Sequence, residues 1–135
     1  MTRRWRTLII GVGAFLLTDL YVIAHPAALL SGEEMSAATV ADRLYAEGFE
    51  WYRAGRFDRA ADTWQQAARE FAKNSEPVKQ SEALVALAQS YLSLGQSSRA
   101  AQNLELALAL VEPSKDPTRT ARITGALGQV YLQAG

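Results

Sequence analysis

The chain repeats itself at forty-residue intervals. Gly55, Gly95 and Gly135 share one register, as do Trp51, Tyr91 and Tyr131, and Gly48, Ala88 and Gly128. Ala60 recurs as Ala100, Ala67 as Ala107, and the bulky Trp64 as Leu104. Self-similarity at such a period means stacked supersecondary units, none of which buries its apolar face alone. An array of this kind offers a surface for binding and points away from a single reaction centre.

Within each unit the apolar spacing is helical. Leu44, Gly48, Trp51 and Gly55 fall at i, i+4, i+7 and i+11, a stripe along one helix face. Gly48 lets another helix approach closely, Trp51 fills the adjoining space, and Gly55 accepts the left-handed backbone of a helix end. Phe57, Ala60, Ala61, Trp64, Ala67 and Ala68 form a second stripe, so two amphipathic helices fold back as an antiparallel pair. Pro77 suits the first turn of a third helix, where its missing N–H costs nothing. The second unit runs through Leu84, Leu87, Ala88 and Tyr91 to Gly95 and returns through Ala100, Leu104, Ala107, Leu108 and Val111. Pro113 and Pro117 then interrupt the pattern. The third unit carries Ile123, Leu127, Gly128, Val130 and Tyr131.

These residues resemble the tetratricopeptide repeat. The family's alternation of small and large residues appears in Leu44, Gly48, Trp51, Gly55, Phe57, Ala60, Trp64 and Ala67, and again in Leu84, Ala88, Tyr91, Gly95, Ala100, Leu104 and Ala107. Ser97 departs from the family's usual aromatic, and Thr124 replaces a bulky residue. The resemblance covers residues 41–135, with units at 41–76, 81–116 and an incomplete 121–135. It implies an all-α, right-handed α-solenoid of antiparallel helix hairpins, about two and a half repeats long. The forty-residue period exceeds the family's usual ~34, which predicts longer helices and connections.

The first 24 residues read differently. Arg3, Arg4 and Arg6 precede an apolar run from Leu8 to Leu17 that continues through Tyr21–Ala24. Positive charge followed by a hydrophobic stretch is how a chain is presented for export. Two readings stay open. A signal peptide would be cut after Ala24, Ala27 or Ala28, leaving the rest in the periplasm or secreted. A retained anchor would put residues 8–24 across an inner membrane as an N-terminal hydrophobic helix, with residues 25–135 outside the cytoplasm. About 20 helical residues are needed for that, and Asp19 opposes it by roughly 2.5–3.5 kcal/mol. Residues 25–40 read as a tether that becomes helical between Gly32 and Val40, where Ser31 and Glu34 have capping-box spacing. Export signal, long repeats and the Trp64–Ala67 segment together look like the front of bacterial repeat proteins that end in a caspase-like protease domain. On that resemblance the chain would be a recognition arm.

Charge argues against nucleic acid. Without residues 1–24 the chain holds 11 basic and 13 acidic groups, which leaves no basic footprint. Nor does the sequence contain cysteine, so thiol chemistry and thiolate metal sites are excluded. The lone His25 reads as a linker residue, Glu33 and Glu34 as solvated charge, and Glu47 and Glu50 as surface groups flanking Gly48. No catalytic, cofactor or metal site is expected.

Tetratricopeptide units bind protein or peptide along the concave face of each pair's first helix. There the resemblance places Asp42, Tyr45, Phe49, Tyr52 and Arg53, then Val85, Gln89, Leu92 and Ser93, then Gly125, Gln129 and Leu132. Tyr45, Phe49 and Tyr52 share one helix face and make an aromatic strip. The lysine and asparagine set with which some relatives clamp a terminal carboxylate is missing, which favours an apolar or helical ligand over an acidic tail. The alternative is that these aromatics pack on a helix preceding residue 41. The last helix, lacking a return partner, is expected to turn Ile123 and Val130 toward the empty side, which predicts a homo-oligomer, docking to a partner, or a piece of a longer protein.

Overall fold

From Phe57 onward, helices begin every twenty residues, at 57, 77, 97 and 117. The computed structural model describes the backbone from residue 27 onward, apart from residue 114, and side-chain environments from residue 40. Among the described residues every regular element is helical: α1 Ala27–Arg53, α2 Phe57–Lys73, α3 Pro77–Ser93, α4 Ser97–Ala109 and α5 Pro117–Ala134. The export or anchor segment lies outside the described residues. No described helix is long and apolar enough to cross a membrane. The packing below is that of the unit Ala37–Gly135.

The twenty-residue rhythm comes from one turn used three times. Each of α1, α2 and α3 ends in a residue with left-handed backbone: Gly55 at φ 72°, Ser75 at 57° and Gly95 at 73°. The following N–H then reaches back to close the helix: Arg56 to Trp51 O at 2.9 Å, Glu76 to Phe71 O at 2.9 Å, Gln96 to Tyr91 O at 2.8 Å. This six-to-one bond, with the inner bonds Gly55 to Tyr52 O, Ser75 to Ala72 O and Gly95 to Leu92 O, is the Schellman closure. Because it uses three residues, α2 and α3 are left with 17 each. Two 17-residue helices and two three-residue turns thus make up forty residues. At α4 the rhythm is kept differently: 13 helical residues are followed by a longer, proline-bearing connection. Asp116 ends it, accepting a hydrogen bond from Arg119 N at 2.9 Å, with Pro117 opening α5.

α1 starts at Ala27, earlier than the Gly32–Val40 window expected for its beginning. Ser31 and Glu34 therefore stand inside the helix, where capping-box spacing has no helix end to serve.

Each helix packs on the next, through alanines that bring the backbones close. Ala60, Ala67, Ala83, Ala100 and Ala107 are fully buried, around Trp64, Phe71, Leu87 and Leu104. α2 confines its buried residues to one stripe, whereas α3 buries Ser81, Ala83, Leu84, Ala86, Leu87, Ala88 and Ser90, most of its circumference. That pattern marks α3 as the central helix. The Ser81 hydroxyl donates to Ala107 O at 3.0 Å and ties α3 to α4.

Gly48 admits the close approach of another helix, α2. The Trp64 indole lies so near that a Cβ at Gly48 would sit 2.3 Å from its Nε1. Trp64 Nε1 donates to Tyr45 O at 3.0 Å. Trp51 is half-buried on another side, its Nε1 donating to Glu47 Oε1 at 3.0 Å, with the Arg59 guanidinium 4.8 Å above its ring.

Candidate functional site

The odd-numbered helices lie side by side and are stitched by a polar ladder with the same forty-residue register as the apolar core. Lys79 of α3 pairs with Asp42 of α1 at 3.0 Å, and Arg119 of α5 pairs with Glu82 of α3 at 2.9 Å. Acid 42 becomes acid 82, and base 79 becomes base 119. Glu76 first and Asp42 next hold the Lys79 ammonium above its usual range. At the third acid position the sign reverses, because residue 122 is arginine. Among the described residues Arg122 has no carboxylate partner.

Between these helices runs a groove of about 280 Å³. α1 contributes Tyr45 and Phe49, α3 contributes Glu82, Val85, Ala86 and Gln89, and α5 contributes Arg122. The aromatic wall is built on the core behind it. Phe49 packs edge-on against Trp64 with centroids 5.0 Å apart and against Tyr45 at 5.2 Å, and Tyr45 in turn meets Phe71 at 6.1 Å. Phe49 is nonetheless 40% exposed. Burial raises the Tyr45 phenol above its ordinary range, the Glu82 carboxylate adds to this, and Arg122 opposes both. An apolar shelf therefore sits beside Glu82, which is held by Arg119, and Arg122, which has no ion pair among the described residues. The groove can hold a side chain on Phe49 and Val85 while Arg122 and Gln89 meet a polar or anionic group.

A larger but more open depression, about 600 Å³, lies over Gly95–Arg99 and Ala134. It lacks any large apolar side chain and has little with which to orient a ligand.

The expected surface residues divide into three groups. Tyr45, Phe49, Val85 and Gln89 converge on the groove. Asp42 and Tyr52 bridge helices instead: Asp42 holds Lys79, and the Tyr52 hydroxyl lies 3.0 Å from Ser93 Oγ while its ring packs on Phe57 and Trp64. Leu92 packs against the core, and Arg53 pairs along its own helix with Glu50. Behind Tyr45, Phe49 and Tyr52 stand the α2 side chains Phe71, Trp64 and Phe57. Glu82, Ala86 and Arg122 complete the groove and escaped the sequence reading. Extending the forty-residue register from apolar to charged positions would have found Glu82 and Arg122.

One expectation is overturned. Ile123 and Val130 are each 1% exposed, so they form no self-association face. With Leu127 they make the buried stripe of α5, the helix that packs on α4. The uncovered side of α5 carries Thr124, Gly128, Tyr131 and Leu132 instead.

No three His, Asp or Glu side chains converge as a metal site among the described residues. No protein-family model, curated protein or solved structure matches the chain.

Proposed function

We propose that this chain is a noncovalent binding module, a right-handed α-solenoid of tetratricopeptide type whose concave groove takes a peptide or helix from another protein. The observation that carries this reading is the junction of an open aromatic shelf, Phe49 backed by Trp64, with the uncompensated Arg122. A shelf fixed by the core loses little entropy when a ligand settles on it. Its size suits one large apolar side chain, with an Asp or Glu beside it for Arg122 to meet. Asp42 and Glu82 are held in ion pairs by Lys79 and Arg119, which also meet Glu76 and Asp116, whereas Arg122 is the lining charge without an ion pair among the described residues. An acidic residue flanking an apolar anchor replaces the purely apolar ligand expected from the missing clamp set. Binding takes place outside the cytoplasm, where the arginine-headed apolar segment of residues 1–24 sends or holds the chain.

Panning a random peptide library against the full-length protein tests this. The expected consensus pairs an aromatic or branched aliphatic residue with Asp or Glu within one helical turn or strand step. Arg122→Glu should cancel the acidic preference and leave the helical circular dichroism unchanged, because the side chain is exposed. A library that yields no consensus, or a consensus indifferent to Arg122→Glu, refutes the groove assignment.

A further inference from the structure

The ionic clasp of the ladder is made twice, and only its second copy has a rival. Lys79 holds Asp42 of α1 and Glu76, the residue just before its own helix, each at 3.0 Å. Arg119 holds Glu82 of α3 at 2.9 Å and also Asp116, the residue just before its own helix. Three residues beyond Lys79 stands Glu82, which has no attraction for Asp42. Three residues beyond Arg119 stands Arg122, one turn further along the same side of α5. Arg122 lines the groove together with Glu82 and Tyr45. Two guanidinium groups thus neighbour Glu82, and it pairs with one.

Glu82 is the only carboxylate among the residues lining the groove. The Tyr45 phenol senses both Glu82 and Arg122, with opposite effect, so the three groups share one end of it. Yet among the described residues Glu82 makes neither a hydrogen bond to Tyr45 nor an ion pair with Arg122, and its Oε1 accepts from Arg119 Nη2. Arg119 prevails because it is better fixed. Its side chain is only 20% exposed, and Asp116, bonded to Arg119 N at 2.9 Å, anchors the same guanidinium. A planar guanidinium serves two carboxylates through separate nitrogens, as Nη1 and Nη2 do here. Arg122 is exposed and would have to immobilise a long side chain to take Glu82.

We propose that Arg119 is the positioning residue of the groove: by holding Glu82 it keeps that carboxylate off Arg122, so that the acidic side chain of the incoming peptide finds the Arg122 guanidinium free. Without Arg119, Glu82 turns to Arg122 and takes from within the place of the peptide's Asp or Glu. The peptide then competes with a carboxylate tethered beside its site, which has the advantage of a high effective concentration. This inference rests on the groove reading above and adds to it what keeps the site open. In the first copy the clasp has no such task, since position 82 carries no cation.

Phenylglyoxal, which modifies accessible guanidinium groups, is the probe on the full-length protein, and the rate at each arginine is read by peptide mass spectrometry. Arg69, exposed and outside this groove, is the internal reference. Arg119→Met keeps an apolar stem and removes the charge. Relative to Arg69, labelling of Arg122 should then slow about two- to fivefold, the range of one surface ion pair. Adding Glu82→Gln should restore the parent rate, a rescue that a merely structural role of Arg119 would not give. Arg119→Lys should label Arg122 as the parent does, because lysine makes the same clasp at position 79. Should Arg119→Met lower the helical circular dichroism, Asp116→Asn is the second variant. It preserves a helix cap, frees Arg119 from its anchor and should slow Arg122 labelling in the same direction. Labelling at the parent rate in both variants overturns the proposal, as does a slowing that Glu82→Gln fails to reverse. Panning the peptide library separates this from the groove assignment: Arg119→Met should lose the acidic preference, and the double variant with Glu82→Gln should regain it. An acidic consensus on the parent and on Arg119→Met alike overturns the role of Arg119 and leaves the groove reading standing. No consensus on the parent refutes the groove reading, and this inference with it.

Discussion

Gly48 and Gly128 occupy the same position in the repeat, and replacing each by alanine should move stability in opposite directions. In both helices the substitution removes the conformational penalty of a mid-helix glycine, a gain of about 0.8–1 kcal/mol. At Gly128 nothing offsets the gain, because the new methyl meets no atom within 4 Å. At Gly48 the methyl would lie 2.3 Å from Trp64 Nε1, 2.5 Å from Cδ1 and 2.6 Å from Cε2. These atoms belong to a rigid, fully buried ring, so the indole must shift by about an ångström to reach ordinary contact. Overpacking of this kind costs about 1–3 kcal/mol. Displacing Trp64 also breaks its bond to Tyr45 O, worth about 1 kcal/mol more. Gly48→Ala should therefore lose about 1–3 kcal/mol net, and Gly128→Ala should gain about 0.5–1 kcal/mol. Urea denaturation followed by circular dichroism reads both. Thermal melts should separate the two variants by roughly 10 °C, given about 4–8 °C per kcal/mol for a domain of this size. A Gly48→Ala variant as stable as the parent would show that the Trp64 ring does not pack against Gly48.

Ser75 adopts φ 57° at a turn where its two counterparts are glycines, so Ser75→Gly should stabilise by about 0.5–1 kcal/mol; a urea midpoint that falls instead would refute the shared closure. Asp116→Ala removes the side chain that caps α5 and meets Arg119, and should cost about 1–2 kcal/mol in the same assay. The Tyr45 phenol should ionise above the range of a free tyrosine, read as the difference in tyrosinate absorbance between the parent and Tyr45→Phe. Since its folded value is raised, the neutral phenol favours the fold. That contribution is complete below the unfolded value of about 10 and is lost as pH rises through the folded one. Arg122→Glu should push Tyr45 higher still, by replacing an opposing charge with a reinforcing one; an unmoved titration would place Arg122 away from the groove.

Helices, turns and core were legible because each is local or strictly periodic. Gly55 and Gly95 marked helix ends, since only a left-handed residue closes the turn they make. Pro77 marked a helix start for an equally local reason. Ser75 gave no such mark, although it performs the same closure, because a serine can stand anywhere; its place midway between Gly55 and Gly95, twenty residues from each, was its only trace. Gly48 announced the close approach of another helix, but its register did not say which side chain would enter. The ring that enters belongs to α2, because the antiparallel turn at Gly55 brings Trp64 across from Gly48.

The groove was half legible, and the missing half was electrostatic. The concave face implied by the resemblance held Tyr45, Phe49, Val85 and Gln89, and helical spacing keeps the residues of each helix face together whatever the tertiary fold. Arg122 comes from a third helix, so its place depends on how α5 lies against α3. That placement is recorded in the ladder: Asp42–Lys79 and Glu82–Arg119 are one interaction translated by one repeat. Translating it again puts Arg122 where an acid would continue the pattern. In a regular array the positions that keep the repeat carry the stacking, and each residue that breaks it must answer to something outside the stack. Arg122 breaks it in charge at the groove, as Gly128 breaks it in occupancy on the uncovered face of α5. The proposed groove reading rests on the first of these departures, because Arg122 is the lining charge that no ion pair within the stack holds.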